Sequence, residues 1–439
     1  MTSSVVLFLM FAALVGTMLT GAPLAFVLGG VAFLFTVSLW GMDALVISVL
    51  QTFETMSSES LLAIPLYVLM ASILQKSGII EDLYNAMEKW FSNVVGGLAI
   101  GTVIICTIMA AMTGIVGAAV AAMGILSLPS MLKRNYDERL ALGTICAGGT
   151  LGILIPPSIV TIVYAISAKI SIGQMFIAGI VPGIILASLY SVYIWVRAML
   201  NPSLAPKPDM VDEQFTLDQK LASLKSLILP FMIIFGVLGS IYMGIATPTE
   251  AAAVGVLGAL LSSAVLGRLN FRDISDAGND TLKVTAMILW ITIGAKTFVS
   301  VFNATGGADS VIQFVQGLEM SRYAVLGILL LVLIFLGLFL DEIGIILLCV
   351  PVFLPIVIAL DFDPLWFGVL FMITAQMAYI TPPFGYTLFY LKSVLPAHIS
   401  IAQVYRGVIP FFLLQVFALL LFILFPDVVT WLPEFMIEK

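Results

Sequence analysis

Apolar runs of about 18 residues or more recur from one end of this chain to the other, each long enough as a helix to cross about 30 Å of hydrocarbon. A chain patterned this way has few options. Inside a bilayer no water satisfies the peptide N–H and C=O groups, so the backbone must bond to itself in helices or a closed barrel. The run lengths select helices. Of 439 residues, 61% are hydrophobic and 10% charged, against roughly 25% charged in soluble domains. Too few polar side chains remain to build a water-soluble surface. The expected fold class is an all-α polytopic membrane protein.

Spanning helices are expected near 4–20, 22–40, 61–76, 174–197, 227–246, 249–266, 284–302 and 402–425. Met1 to Leu19 lacks a basic leading stretch and a second apolar run follows at once, so it reads as a span rather than a cleaved signal. Two longer segments, 139–168 and 366–392, also cross, but each carries a Pro-Pro pair, Pro156-Pro157 and Pro382-Pro383. Proline removes a backbone donor and clashes with the preceding turn. Two in succession interrupt the helix within the membrane.

The stretches 97–132 and 323–360 have small or polar centres, Thr113 to Gly117 and Asp341 to Gly344. At about 37 residues each is short for two crossings, so both read as re-entrant hairpins that enter and leave on one side. Ile80 to Asn93 and Ala308 to Glu319 are amphipathic and suit the interface. Trp40, Trp90 and Trp431 suit headgroup depth. Asn201 to Ser226, rich in Pro, Asp, Glu and Lys, divides the chain near its middle.

The chain repeats itself. Pro23, Pro129, Pro156-Pro157, Ser171 to Gln174 and Pro182 recur in order as Pro248, Pro355, Pro382-Pro383, Ser400 to Gln403 and Pro410. Each partner lies 225 to 229 residues on, a nearly constant spacing that marks an internal duplication. The expected division is a first repeat over 1–200, a cytoplasmic linker over 201–226, a second repeat over 227–427 and a tail over 428–439. Each repeat holds about five crossings and one hairpin. Five is odd, so the second repeat is inverted. Charge agrees: the first hairpin's base carries Lys133, Arg134 and Arg139, the second's Asp361 and Asp363. The positive-inside rule places the first base in the cytoplasm and both termini in the periplasm. Inverted repeats with broken helices are the pattern of secondary transporters, whose sites lie at midplane.

Irregular backbone in a membrane is tolerated where it is buried or lines a cavity. The candidate site is therefore the two hairpin centres and the two breaks. Thr113, Gly114 and Gly117 face Gly149, Thr150, Gly152, Pro156, Pro157 and Ser158 in the first half. Asp341 and Glu342 face Thr381, Pro382, Pro383, Gly385 and Thr387 in the second. Freed carbonyls and hydroxyls form oxygen-rich cages suited to Na⁺, one near Thr113, Gly114 and Thr150, the other near Asp341 and Thr381. Helix N-termini after each break favour a small organic anion. A mid-membrane carboxylate costs about 2.5–3.5 kcal/mol, so Asp341 and Glu342 need a reason. Asp341 reads either as an ion ligand or as a helix cap. Lys169 and Lys296 read as snorkelling or as substrate contacts. Glu250 with Thr247 and Pro248 reads as a capping box.

Other chemistries find no support. Cys106, Cys146 and Cys349 lie far apart in apolar segments, and His398 is the one histidine, which argues against zinc and histidine-based nucleophiles. No basic stripe suggests nucleic acid. An aspartyl peptidase would use Asp137 and Asp341, but Asp137 lies in a basic loop and Leu338-Phe339-Leu340-Asp341 is not GxGD. No cofactor is expected beyond Na⁺ as coupling ion.

The stretches GGTLGILIPPSIVTIVYA (148–165), ISIGQMFIAGIVPG (170–183), FLGLFLDEIGIILLCVPVFLP (335–355) and ITPPFGYTLF (380–389) resemble the large membrane subunit, DctM-type, of the tripartite ATP-independent periplasmic (TRAP) transporters. The resemblance spans nearly the whole chain. It implies a Na⁺-driven elevator carrier in the bacterial inner membrane. It also implies two partners, a small DctQ-type membrane subunit and a DctP-type periplasmic solute-binding protein that delivers an organic acid. A stand-alone Na⁺-coupled dicarboxylate or citrate carrier of the same architecture would use the same residues.

Overall fold

The computed structural model describes residues 3–205, 215–317 and 319–436. Regular structure among them is helical throughout. The first half runs α1 (Ser3–Met18), α2 (Leu24–Trp40), α3 (Val46–Met56), α4 (Ala63–Lys76), α5 (Ile79–Phe91), α6 (Gly97–Thr113), α7 (Val116–Lys133), α8 (Glu138–Thr150), α9 (Ile159–Ala168) and α10 (Ile172–Leu200). The second runs α11 (Leu217–Ser223), α12 (Lys225–Tyr242), α13 (Pro248–Val265), α14 (Phe271–Ala304), α15 (Gly307–Gly317), α16 (Arg322–Gly337), α17 (Glu342–Ala359), α18 (Pro364–Tyr379), α19 (Tyr386–Val394), α20 (Ile401–Leu424) and α21 (Asp427–Glu434). Eight stretches of helix among the described residues are long and apolar enough to cross a membrane.

Local chemistry sets the helix starts. Asp137, Ser171, Ser321 and Asp363 each accept a first-turn N–H, which satisfies donors that have no partner inside the helix. The Thr247, Pro248, Glu250 capping box forms as its sequence dictates.

Between the second and third predicted spans lies α3, at about 16 Å too short to cross. Three expectations need correction. The span predicted at 284–302 is the second part of the 34-residue α14. Asn270 caps that helix and no proline interrupts it, so it runs on through Arg272, Asp273 and Asp280 past the apolar core. The linker predicted over 201–226 is helical from Leu217, because Thr216 and Gln219 form a capping box; its residues 206–214 lie outside the described ones. The predicted tail contains α21, held because Val429 is buried and Met436 packs against Gly173 at the start of α10.

The two halves interlock by exchange. α2 packs on α14 while α4 packs on α13; α9 packs on α17 while α7 packs on α19; α1 meets α15 while α5 meets α12. Wherever two helices meet in these pairs, their two counterparts in the other half meet as well, the pattern that a two-fold relation between halves produces. Polar links define two ends of the bundle. At one end Arg134 pairs with Glu88 at 2.9 Å, Trp90 Nε1 donates to Lys220 O at 3.0 Å, and Arg268 pairs with Asp82 at 2.6 Å. At the other, Thr249 Oγ1 donates to Glu59 O at 3.4 Å and Tyr164 OH to Pro364 O at 3.0 Å. The base of the α6–α7 hairpin lies at the first end and the base of α16–α17 at the second. Both hairpin turns therefore lie between the ends, against the two broken helices.

Candidate functional site

In the first half, α6 stops at Thr113 because Gly114 turns the chain with φ +58°, a conformation that other L-residues resist. A Cβ on Gly114 would lie 2.4 Å from Pro157 O, so the hairpin turn sits directly on the break of its own half. Gly152 approaches Gly114 C and Ile115 N at 3.8 Å, measured from its β-position. Gly149 accepts the Val120 methyl of α7 where a side chain would be, 2.3 Å from that position. Residues 151–160, including Pro156, Pro157 and Ser158, are buried. The Pro156-Pro157 peptide bond is cis, as is Pro382-Pro383.

The break frees Ile153 O, and two hydroxyls take it: Ser158 Oγ donates at 2.9 Å and Thr161 Oγ1 at 3.2 Å. Thr150 Oγ1 donates to Ala147 O at 2.8 Å and Thr113 Oγ1 to Met109 O at 2.9 Å. Gln415 Nε2, from α20, donates to Thr150 Oγ1 at 3.4 Å. Each of these hydroxyls spends its proton on a main-chain oxygen. Each keeps at least one lone pair for a cation or another donor, Thr150 having given one to Gln415.

The second half repeats the plan with differences. The β-position of Gly337 lies 2.5 Å from Ala378 Cβ, and Tyr386 OH donates to Phe339 O at 3.3 Å, so this hairpin also meets its own break. Thr381 Oγ1 donates to Met377 O at 2.6 Å and Thr387 Oγ1 to Tyr379 O at 2.7 Å. Gly385 is compressed against Tyr379 O, its β-position 2.9 Å away. Asp341 caps α17: its Oδ1 accepts Gly344 N–H at 3.0 Å. Glu342 follows as the first residue of that helix, and its Oε2 is buried without a hydrogen-bond partner. Unlike Pro156 and Pro157, Pro382 and Pro383 are exposed, and the rings of Phe339 and Phe384, half-exposed, stand 5.5 Å apart. The site thus opens on the side of the second break.

One site residue lies elsewhere than its own half's break. Gly117 is on the face of α7 that meets α19, where its β-position is 3.0 Å from the Tyr390 ring. Lys169 and Lys296 do not reach the hairpin turns. They line a cavity of about 1060 Å³ beside α3 and α17, and Lys296 Nζ pairs with Glu54 Oε1 at 3.0 Å. The peptidase reading fails on geometry: Asp137 and Asp341 each cap a different helix.

Three residues were missed. Thr161 stands eight positions after Ile153, as Thr387 stands eight after Tyr379, and it makes the same bond; extending the repeat would have found it. Gln376 is wholly buried with neither side-chain atom partnered, and Gln415 Oε1 is also unpartnered. Their signal was an amide in an otherwise apolar run.

The arrangement suits a cation and an anion together. Among the described residues no group of three or more His, Cys, Asp or Glu side chains could hold a metal ion. The N-termini of α7, α9 and α19 have no side-chain cap. Such ends favour an anion.

The sequence matches the family model described as "Tripartite ATP-independent periplasmic transporter, DctM component" over residues 10–428. It is 32% identical to the C4-dicarboxylate TRAP transporter large permease protein DctM of Pseudomonas aeruginosa, over 93% of this chain and 94% of that protein. It is 30% identical to the ectoine/5-hydroxyectoine TRAP transporter large permease protein UehC of Ruegeria pomeroyi, over 98% and 99%. The crystal structure of the Alcanivorax borkumensis YdaH transporter shares the fold, with a TM-score of 0.66 at 14% identity, covering 92% of this chain and 98% of that one. With helices that span a membrane, two hairpins seated on two proline breaks, and a family match along almost its whole length, this chain belongs to the DctM family, the large permease subunits of TRAP transporters.

Proposed function

We propose that this permease subunit carries a small organic acid across the bacterial inner membrane, driven by Na⁺ and fed by a periplasmic solute-binding protein. A separate small DctQ-type subunit completes the assembly. The observation that supports this reading is the pairing of each hairpin turn with the proline break of its own half, where freed carbonyls are held by hydroxyls. One Na⁺ is proposed near Thr113, Gly114 and Thr150, a second near Asp341 and Thr381. The uncapped N-termini of α7, α9 and α19 would take the substrate carboxylate.

The division into repeats over 1–200 and 227–427 gives this reading its mechanical basis. α2 packs on α14, α14 on α4 and α4 on α13, and in this reading these four form a frame while α6 to α9 and α16 to α19 form a second body. In an elevator cycle the second body moves against the first and carries ions and substrate with it. Relatives named for C4-dicarboxylates and for ectoine support a small polar metabolite and leave its choice to the pocket and the binding protein.

The test is uptake in proteoliposomes. Reconstituted with its small subunit and its binding protein loaded with ligand, the chain should import label under an inward Na⁺ gradient. K⁺ should not substitute. Uptake by this chain alone, with no soluble partner, would overturn the tripartite reading in favour of a stand-alone carrier; uptake indifferent to Na⁺ would remove the coupling ion.

A further inference from the structure

Three arginines that are far apart in the chain line one cavity. Arg139 stands at the start of α8, Arg197 in the last turn of α10 and Arg406 in the second turn of α20, and with Asp137, Tyr193 and Pro410 they surround a space of about 360 Å³. Among the described residues, none of these guanidiniums lies within ion-pair distance of a carboxylate. Asp137 is the one acid among the described residues of the lining, and its Oδ1 accepts the N–H groups of Arg139 and Leu140 as the cap of α8. Among the described residues the lining therefore brings three positive groups against one negative. Its position is fixed by packing: Asp137 N–H donates to Leu204 O, past the end of α10, at 2.9 Å, and Gly407 of α20 abuts Arg139 O, 2.4 Å from its β-position.

What leads away from the cavity identifies its ligand. On α20 a stripe of exposed apolar side chains begins three residues after Arg406 and runs nearly to the helix end: Ile409, Leu413, Phe417, Leu420 and Leu424. This spacing keeps them on one helix face, and that face is continuous with the arginine pocket. A free anion would use the arginines and leave the stripe idle. A phospholipid uses both, phosphate on the guanidiniums and acyl chains along the stripe. Arginine forks match phosphate oxygens bidentately, and a cluster of bases where helices leave the hydrocarbon is an anionic-lipid site by charge alone.

We propose that Arg139, Arg197 and Arg406 form a headgroup site for an anionic phospholipid, with its chains lying along the outer face of α20. The site is distinct from the hairpin and break residues and does not depend on the transported substrate.

Native mass spectrometry of the detergent-purified, delipidated chain tests it, with phosphatidylglycerol, phosphatidylcholine and inorganic phosphate as separate probes. Wild type should retain one phosphatidylglycerol in preference to phosphatidylcholine, and phosphate should not compete at matched concentration. The R197Q/R406Q double variant should bind phosphatidylglycerol about thirtyfold more weakly, since two surface charges are lost. R197K/R406K should recover part of the binding, which a merely misfolded protein would not do. R322Q, at the opposite end of the bundle, is the control and should bind as wild type. Equal retention by the double variant and wild type would overturn the proposal. So would displacement of the lipid by phosphate alone, which would mark a free-anion site.

Discussion

Gly114→Ala is the most exacting test of the hairpin-on-break geometry. Two costs add at this position. The backbone there sits at φ +58°, and left-handed geometry costs an L-residue about 1–2 kcal/mol. The new methyl carbon would also stand 2.4 Å from Pro157 O, well inside contact. That carbonyl belongs to a buried Pro-Pro segment and cannot swing aside, so overpacking adds about 1–3 kcal/mol. The expected destabilisation is about 2–5 kcal/mol. Gly152→Ala supplies the matched control on the other side of the same gap. Its β-position has nothing nearer than 3.8 Å, and φ there is not positive, so stability should hold or rise by up to about 1 kcal/mol. Cys106 and Cys146 are both buried, in the helices flanking this contact. Their alkylation by a thiol-reactive fluorophore during a thermal ramp reports the opening of this region. Gly114→Ala should lower the midpoint by about 2–5 °C, and Gly152→Ala should leave it in place. If Gly152→Ala melts as early as Gly114→Ala, or Gly114→Ala melts with wild type, the hairpin turn does not rest on Pro157 as described.

Asp341 can be split into its two roles. Asn caps a helix about as well as Asp, so Asp341→Asn should keep stability within about 0.5 kcal/mol while weakening the Na⁺ dependence of uptake, whereas Asp341→Ala should lose both, with about 1 kcal/mol of stability. Unchanged Na⁺ activation in Asp341→Asn would take its charge out of the site. The hydroxyls should rank by redundancy: Thr387→Val strips Tyr379 O of its one side-chain donor and should cost about 1–2 kcal/mol, while Thr161→Val leaves Ser158 on Ile153 O and should cost less. Equal losses in chemical denaturation would contradict the bonding described. Finally, with all three native thiols buried, single cysteines at Lys133 and Asp361 should react with an impermeant maleimide from opposite faces of oriented vesicles; labelling from one face would end the inverted arrangement.

Much of this fold was legible in the chain because bilayer thickness is a ruler. Apolar length alone set most of the crossings, and the shortness of 97–132 and 323–360 set the hairpins. Each Pro-Pro pair broke its helix because a missing N–H is a property of the residue itself. The repeat placed the two breaks in corresponding positions, and the same logic, taken further, would have reached Thr161. Where α14 or α11 begins was also written locally, in Asn270 and in the Thr216–Gln219 box, signals weaker than the apolar runs beside them.

What the sequence could not supply was which face meets which. In a soluble helix the polar stripe announces the outer side, but helices such as α7, α16 and α20 are apolar nearly all round, and the lipid tails outside them are as apolar as the core within. Only packing decided that Gly117 faces Tyr390, that Gln415 crosses to Thr150, and that Arg139, Arg197 and Arg406 share one cavity. Pairings of this kind depend on the shapes of surfaces brought together from distant parts of the chain. Hydrophobicity, being equal on every side, carries no record of them.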